Sequence, residues 1–206
     1  MTEENVTTEE KSEKKQHTGP SLTTVVIGIL IFLFAGSLGR AITHSPRAWE
    51  TYTVGTIAPS ITLAVPNEPK LLNVEIPEAL SKISKKIEYY ECSSEPDGII
   101  IQVLGITYNP EINLSLQGGI NGAVGDVAHL SGASNVQNNT EPITISGKTA
   151  TLLTITADVN GSKFEQKTVF LVNGQNLRQI NFQYKSTDET GKKSAQKALE
   201  SLQAAG

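Results

Sequence analysis

The sequence predicts an α+β domain, an α/β/α sandwich built on a central antiparallel sheet, preceded by one transmembrane helix. Three observations carry this. No charged side chain occurs from Thr18 to Gly39. Further along, short alternating apolar runs are separated by Ser-Gly and Asn-Gly turns. Two segments with helical apolar period stand among and after those runs.

The span runs from Leu22 to Leu38. The charge-free stretch would cover roughly 33 Å as a helix, about the thickness of a bilayer's hydrocarbon core. Its middle, from Val25 to Phe34, is apolar on every face, where a water-facing helix shows a polar stripe. Pro20 suits a helix start, and Arg40 can reach the head groups from the far edge. The partner implied is the lipid bilayer itself. A cleaved signal peptide competes with an uncleaved anchor, because Ser37-Leu38-Gly39 has the form of a cleavage site. The preceding tail is long and holds five Glu and three Lys, unlike a short basic leader. Lys11, Lys14 and Lys15 precede the span and Arg40 and Arg47 follow it. The balance favours a cytoplasmic N-terminus and an extracytoplasmic C-terminal domain. Thr24/Gly28 and Ala35/Gly39 have the small-xxx-small spacing that permits close helix approach.

The expected organisation is a disordered charged tail at 1–20, the membrane helix at 21–40, a juxtamembrane linker at 41–59 and one folded domain at 60–206. Of 206 residues, about 160 follow the span, which is one domain's worth. The chain carries net charge −4 and shows no basic stripe, which argues against nucleic-acid binding. Cys92 is the only cysteine, so no intrachain disulfide and no multi-cysteine zinc site can form. That fits a bacterial surface domain stabilised by its core. The Asn-x-Ser/Thr triplets at Asn113, Asn138 and Asn160 read as ordinary loop residues.

In the linker, Trp49 and Tyr52 suit an aromatic belt, or a linker whose last part enters the domain. Ile61, Leu63 and Val65 alternate, then Leu72, Val74 and Ile76, with a turn at Pro66–Pro69; two strands are expected. Pro77 and Glu78 start a short helix or turn. The runs 87–92 and 99–106 read as a hairpin closed by Glu95-Pro96-Asp97-Gly98. Both are apolar on both faces, so both faces are covered. Residues 116–130 place Ile120, Val124 and Val127 on one helix face. Gly118, Gly119, Gly122 and Gly125 weaken that helix by up to about 1 kcal/mol each, so close packing on the sheet must compensate. Residues 131–140 are polar and loop-like. Turns at Ser146-Gly147, Asn160-Gly161 and Asn173-Gly174 then join four strands into a meander. Residues 192–203 put Ala195, Ala198, Leu199 and Leu202 on one face of a closing helix, with Lys192, Lys193 and Lys197 on its solvated side.

This element order resembles the PsbP-like/DcrB-like superfamily, which includes the photosystem subunit PsbP, bacterial lipoprotein relatives and a Ran-binding nuclear import factor. The likeness lies in ITLAVPNEP at 61–69, EPITISGKTATLLT at 141–154, the last strand pair FEQKTVFLVNGQNLRQINFQY and the terminal helix. It covers roughly 60–203. The resemblance implies an α/β/α sandwich acting as a non-catalytic accessory or binding module. It carries no functional residues across. The chain departs from the lipoproteins in having no lipobox cysteine.

The residues offer no catalytic constellation, and no cofactor or metal is expected. Cys92 and His129 could meet as nucleophile and base, but Cys92 sits in a β-rich run where a buried thiol is the plainer expectation. His44 stands apart in the linker. Glu88 and Glu91 point to opposite faces of a strand and read as solvated carboxylates. The glycines of 118–125 lack the Walker lysine and the dinucleotide order. No Gly-x-Ser-x-Gly turn occurs. The expected function is therefore a single-pass, membrane-anchored, non-catalytic module of the bacterial cell envelope that meets an envelope protein or a small ligand. Tyr89 and Tyr90 are candidates for the contact surface, with core packing expected for at least one. A structural subunit of an envelope or secretion complex is the first alternative, and a hydrolase-like enzyme with an unrecognised site the second.

Overall fold

The computed structural model describes residues 48–206; the tail, the span and the first part of the linker lie outside the described residues. Among the described residues no helix is long and apolar enough to cross a membrane.

The three expected turns build the meander. β6 (Ala133–Ile145), β7 (Lys148–Val159), β8 (Ser162–Asn173) and β9 (Asn176–Lys185) follow one another as antiparallel neighbours. Ser146 and Gly147 have φ of 49° and 78°, and Asn160 and Gly161 have 49° and 76°. Two successive positive φ values are what a type I′ hairpin requires, and its twist matches the strands it joins. Asn173 itself lies in β8, and Gly174 with Gln175 makes the third turn. β4 (Ser84–Ser94) and β5 (Ile99–Tyr108) form the expected hairpin, and β5 pairs with β9. With the two-residue β3 (Lys70–Leu71), the order is β3-β4-β5-β9-β8-β7-β6, antiparallel throughout.

A second, three-stranded antiparallel sheet has the order β1-β2-β10, from β1 (Glu50–Val54), β2 (Ser60–Val65) and β10 (Gln203–Ala205). Among the described residues three helices complete the fold: α1 (Glu78–Ile83), α2 (Leu116–Ala128) and α3 (Glu189–Glu200). The result is a mixed α/β fold with antiparallel sheets.

Two apolar clusters lie on opposite faces of the large sheet. One joins Cys92, Ile101, Val103, Ile180 and Phe182 to Ile61 and Leu63 of β2 and to Ala195 and Ala198 of α3. The other joins Tyr89, Leu104, Ile106, Leu153 and Phe170 to Leu80 of α1 and to Ile120, Ala123 and Val127 of α2. Strands buried on both faces explain why 87–92 and 99–106 carry apolar residues at odd and even positions alike. In α2, Ser115 caps the first turn by accepting from the Gly118 N–H at 3.1 Å. Such a cap is worth about 1 kcal/mol. A Cβ on Gly119 would stand 3.4 Å from Phe170 Cε1, an ordinary contact, so the helix lies on the sheet at a separation that an alanine would also allow. Asp188 caps α3 through the Thr190 N–H.

Four expectations are corrected. The folded body begins before residue 60, because β1 pairs with β2 and belongs to the small sheet. Residues 72–76 are not a strand: only Lys70–Leu71 pairs, and it pairs with β4 rather than β2. The polar segment 131–140 is not a loop but most of β6. This edge strand is bonded on one side only and is mostly exposed, so its ladder needs no apolar alternation. The last helix ends at Glu200, and Gln203 has passed into β10.

Candidate functional site

Polar side chains gather at three places: a buried ion pair on one face of the large sheet, an amide cluster on the other, and a half-exposed tyrosine at the β3 edge.

The ion pair is made by strand register. Glu88 of β4 lies opposite Gly105 of β5, and Gly105 lies opposite Arg178 of β9. With no side chain between them, Arg178 Nη1 reaches Glu88 Oε1 at 2.8 Å. A Cβ at Gly105 would overlap that guanidinium. Residues 55–59 close over the pair. The Glu88 carboxylate accepts from Thr56 N–H at 2.8 Å, Ile57 N–H at 2.9 Å and Thr56 Oγ1 at 3.1 Å. Arg178 Nε donates to Pro59 O at 2.9 Å, and Nη2 donates to Ile57 O. Burial alone would raise the Glu88 pKa; the backbone donors of Ile57 and Thr56 and the Arg178 charge outweigh it, and the carboxyl is held below its usual range. Burial pulls Arg178 down while Glu88 pulls it back up. Apart from Lys86, whose Nζ lies 3.8 Å from Glu88 Oε2 at the solvent side, the contacts of this pair go to the chain's own 55–59 segment. Its chemistry is that of a clasp joining the small sheet to the large one.

The amide cluster occupies the face that carries α2. Glu91, Gln102, Asn181 and Thr168 stand side by side on β4, β5, β9 and β8, with Gln166 and Gln183 in the next row. Gln102 Nε2 donates to Glu91 Oε2 at 3.1 Å, and Gln183 Nε2 to Gln166 Oε1 at 2.9 Å. Thr168 Oγ1 and Gln179 Nε2 both donate to Asn181 Oδ1, at 2.9 and 3.2 Å. The amides and Thr168 are buried, and Glu91 is half-buried. The cluster is nearly self-satisfied, and only Gln183 Oε1 among these atoms is buried without a partner. Such a network fixes strand register, because a slip would leave several amides unpaired at roughly 1–3 kcal/mol each.

The expected site residues separate. Tyr89 is buried in the core and donates to Glu91 Oε2 at 3.3 Å, so it is no contact residue. Tyr90 is half-buried, and burial with the nearby Glu88 charge pushes its phenol up. It stands opposite Leu71, an apolar side chain 58% exposed on the two-residue edge strand. Glu88 is buried and paired, which corrects its reading as a solvated carboxylate; its position had no apolar signal to mark it. Cys92 is buried, and burial pushes its thiol up to about 11, so at neutral pH it holds its proton. It belongs to the cluster of the α3 face, whereas His129 caps α2 against the opposite cluster, its Nδ1 2.6 Å from Gly125 O. The two are not brought together. The glycines of 118–125 lie in α2 and cradle nothing in a left-handed turn. Trp49 docks into the domain: its Nε1 donates to Asp97 Oδ1 at 3.1 Å, and Lys197 Nζ lies 4.3 Å above its ring. Lys197 is thereby more than part of a solvated face. Among the described residues no group of three or more His, Cys, Asp or Glu is placed to hold a metal ion.

No protein-family model matches the chain, and no curated protein is significantly similar to it in sequence. Its structure is similar to that of cyanobacterial PsbP from Synechocystis, with a TM-score of 0.50 and 13% identity over 81% of this chain and 98% of that one. The fold is PsbP-like. Two further solved structures overlap this PsbP-like domain more loosely. LpqN, described as involved in cell envelope biogenesis of Mycobacterium tuberculosis, has a TM-score of 0.43 and 19% identity over 77% of this chain and 92% of its own. A Pseudomonas aeruginosa protein of unknown function has a TM-score of 0.38 and 14% identity over 64% and 92%. The fold assignment rests on the first of the three.

Proposed function

We propose that this chain is a single-pass, membrane-anchored, non-catalytic binding module of the bacterial cell envelope, with its N-terminus in the cytoplasm and its PsbP-like domain outside. The stretch from Leu22 to Leu38 is the anchor on this reading, because a segment apolar on all sides suits lipid, where a helix satisfies its own backbone groups. The domain is an α/β/α sandwich in the broad sense, with α1 and α2 on one face and α3 beside the small sheet on the other. Its buried polar groups serve the fold. The Glu88–Arg178 pair closes a segment of the same chain, the amides bond one another, and Cys92 is protonated. That leaves binding rather than chemistry as the activity its residues support.

The observation that carries the reading is Leu71 exposed beside half-buried Tyr90 at the β3 edge. Tyrosine is enriched at protein contacts, and a short edge strand leaves backbone groups free beside it. The partner proposed is another envelope protein. Full-length protein crosslinked in native membranes should recover a partner that Leu71→Glu no longer recovers, with the melting temperature of the domain unchanged. Equal recovery by both forms, or no partner for either, would count against it.

A further inference from the structure

We infer that one pole of the domain, built by the β4–β5 turn, faces the bilayer, and that the β8–β9 turn points away from it. The inference rests on the reading of Leu22 to Leu38 as the anchor and adds the orientation of the domain.

The strands give the domain two ends. The β4–β5 turn, Glu95 to Gly98, lies where β5 begins, and Gly98 packs against Asp188 at the start of α3. The β8–β9 turn lies where β5 finishes: Tyr108 N–H donates to Gln175 O at 2.9 Å, and Gln175 Nε2 donates to Pro110 O at 3.3 Å. β9 links the two ends with 10 residues, so they stand about 33 Å apart.

The chain enters at the first end. Trp49 is held there by three contacts of different kinds: the hydrogen bond to Asp97 in the turn, the Lys197 ammonium over its ring, and packing against the apolar cluster of the α3 face. β1 then runs away from this end to Gly55, beside the Glu88–Arg178 pair. Trp49 therefore fixes where the linker leaves the folded body.

Chain extension sets the orientation. Residues 39–48 separate the end of the apolar stretch from Trp49. Fully extended, the chain from Leu38 to Trp49 spans about 36–40 Å. Presenting the far pole to the bilayer would use nearly all of that reach, because the linker would run back along the whole domain, about 33 Å, and would have to be held almost straight at a cost in chain entropy. Presenting the near pole requires almost none of that reach. The near pole carries the exposed Glu95 and Pro96 and no exposed large apolar residue, so the tether holds it there rather than insertion.

The test uses full-length protein in lipid nanodiscs containing acceptor-labelled lipid. A donor dye is attached at Glu95→Cys or at Glu111→Cys, each with Cys92→Ala. Glu95 and Glu111 are both exposed, one at each pole. Energy transfer about twofold or more higher from position 95 is expected for a height difference on the order of the strand length. Equal transfer, or higher transfer from position 111, overturns the orientation while leaving the anchor in place. Protein absent from the nanodisc fraction, with no transfer from either position, overturns both.

Discussion

Arg178 meets Glu88 across a glycine. Nη1 and Oε1 are 2.8 Å apart, on strands β9 and β4, and Gly105 of the intervening β5 supplies the gap. The same two side chains bind the backbone of Thr56, Ile57 and Pro59. One contact thus ties the central strands of the large sheet to the segment that connects β1 and β2.

Removing one partner leaves a buried charge uncompensated, which costs roughly 3–5 kcal/mol. Glu88→Leu and Arg178→Met should each lower stability by about that much in urea unfolding. The double substitution should lose less than the sum of the two. Gly105→Ala should cost about 1–3 kcal/mol by forcing the guanidinium aside. Additive losses would show that the pair does not act as a unit.

Acid should release the clasp. The Glu88 carboxyl is held below its unfolded value of 4.5, so its contribution is fully present above that pH. It is lost as pH falls through the lower folded value, because only the unfolded chain takes up the proton first. The urea midpoint should drop below pH 4.5 more steeply in the wild type than in Glu88→Gln. Parallel curves would remove Glu88 from the acid transition.

Asp126 has the opposite sign. It lies on α2, buried, with Oδ1 unpartnered, and burial pushes its carboxyl up to about 8. The folded state keeps the proton that the unfolded chain has already lost above pH 3.8. Stability is therefore highest below that value and declines as pH rises through 8. Asp126→Asn should be more stable than the wild type at pH 9 by about 1 kcal/mol or more, with the gain shrinking at pH 5. A gain that does not change with pH would refute the assignment.

Pro142 guards the long edge. The two-residue turn makes Ile145–Lys148 a hydrogen-bonded pair, so residues 138, 140, 142 and 144 direct their backbone groups outward. Pro142 removes a donor from that row, and the register shift between Ser134 and Gln137 bends its far end. Pro142→Thr should raise self-association, read as a mass increase in light scattering at high protein concentration. An unchanged mass would show the edge to be protected by other means.

The sequence showed most of the scaffold and little of its polar interior. Ser146-Gly147 and Asn160-Gly161 were legible because a positive φ at both turn positions selects few residues. β6 was not, since an exposed edge strand needs no apolar period and Asn138, Asn139 and Thr140 match a loop equally well. β9 shows a different ambiguity. Ile180, Phe182 and Tyr184 alternate with Gln179, Asn181 and Gln183, and such alternation ordinarily puts the polar face in water. Those amides lie instead on the covered face that carries α2, where cross-strand partners replace water. The Glu88–Arg178 pair is invisible locally, because it exists only once β4, β5 and β9 are in register.

The anchored module is tested most directly by washing native membranes with alkaline carbonate and probing pellet and supernatant for full-length protein. Retention in the pellet until detergent is added is the predicted result. Release of the intact chain into the supernatant would contradict it.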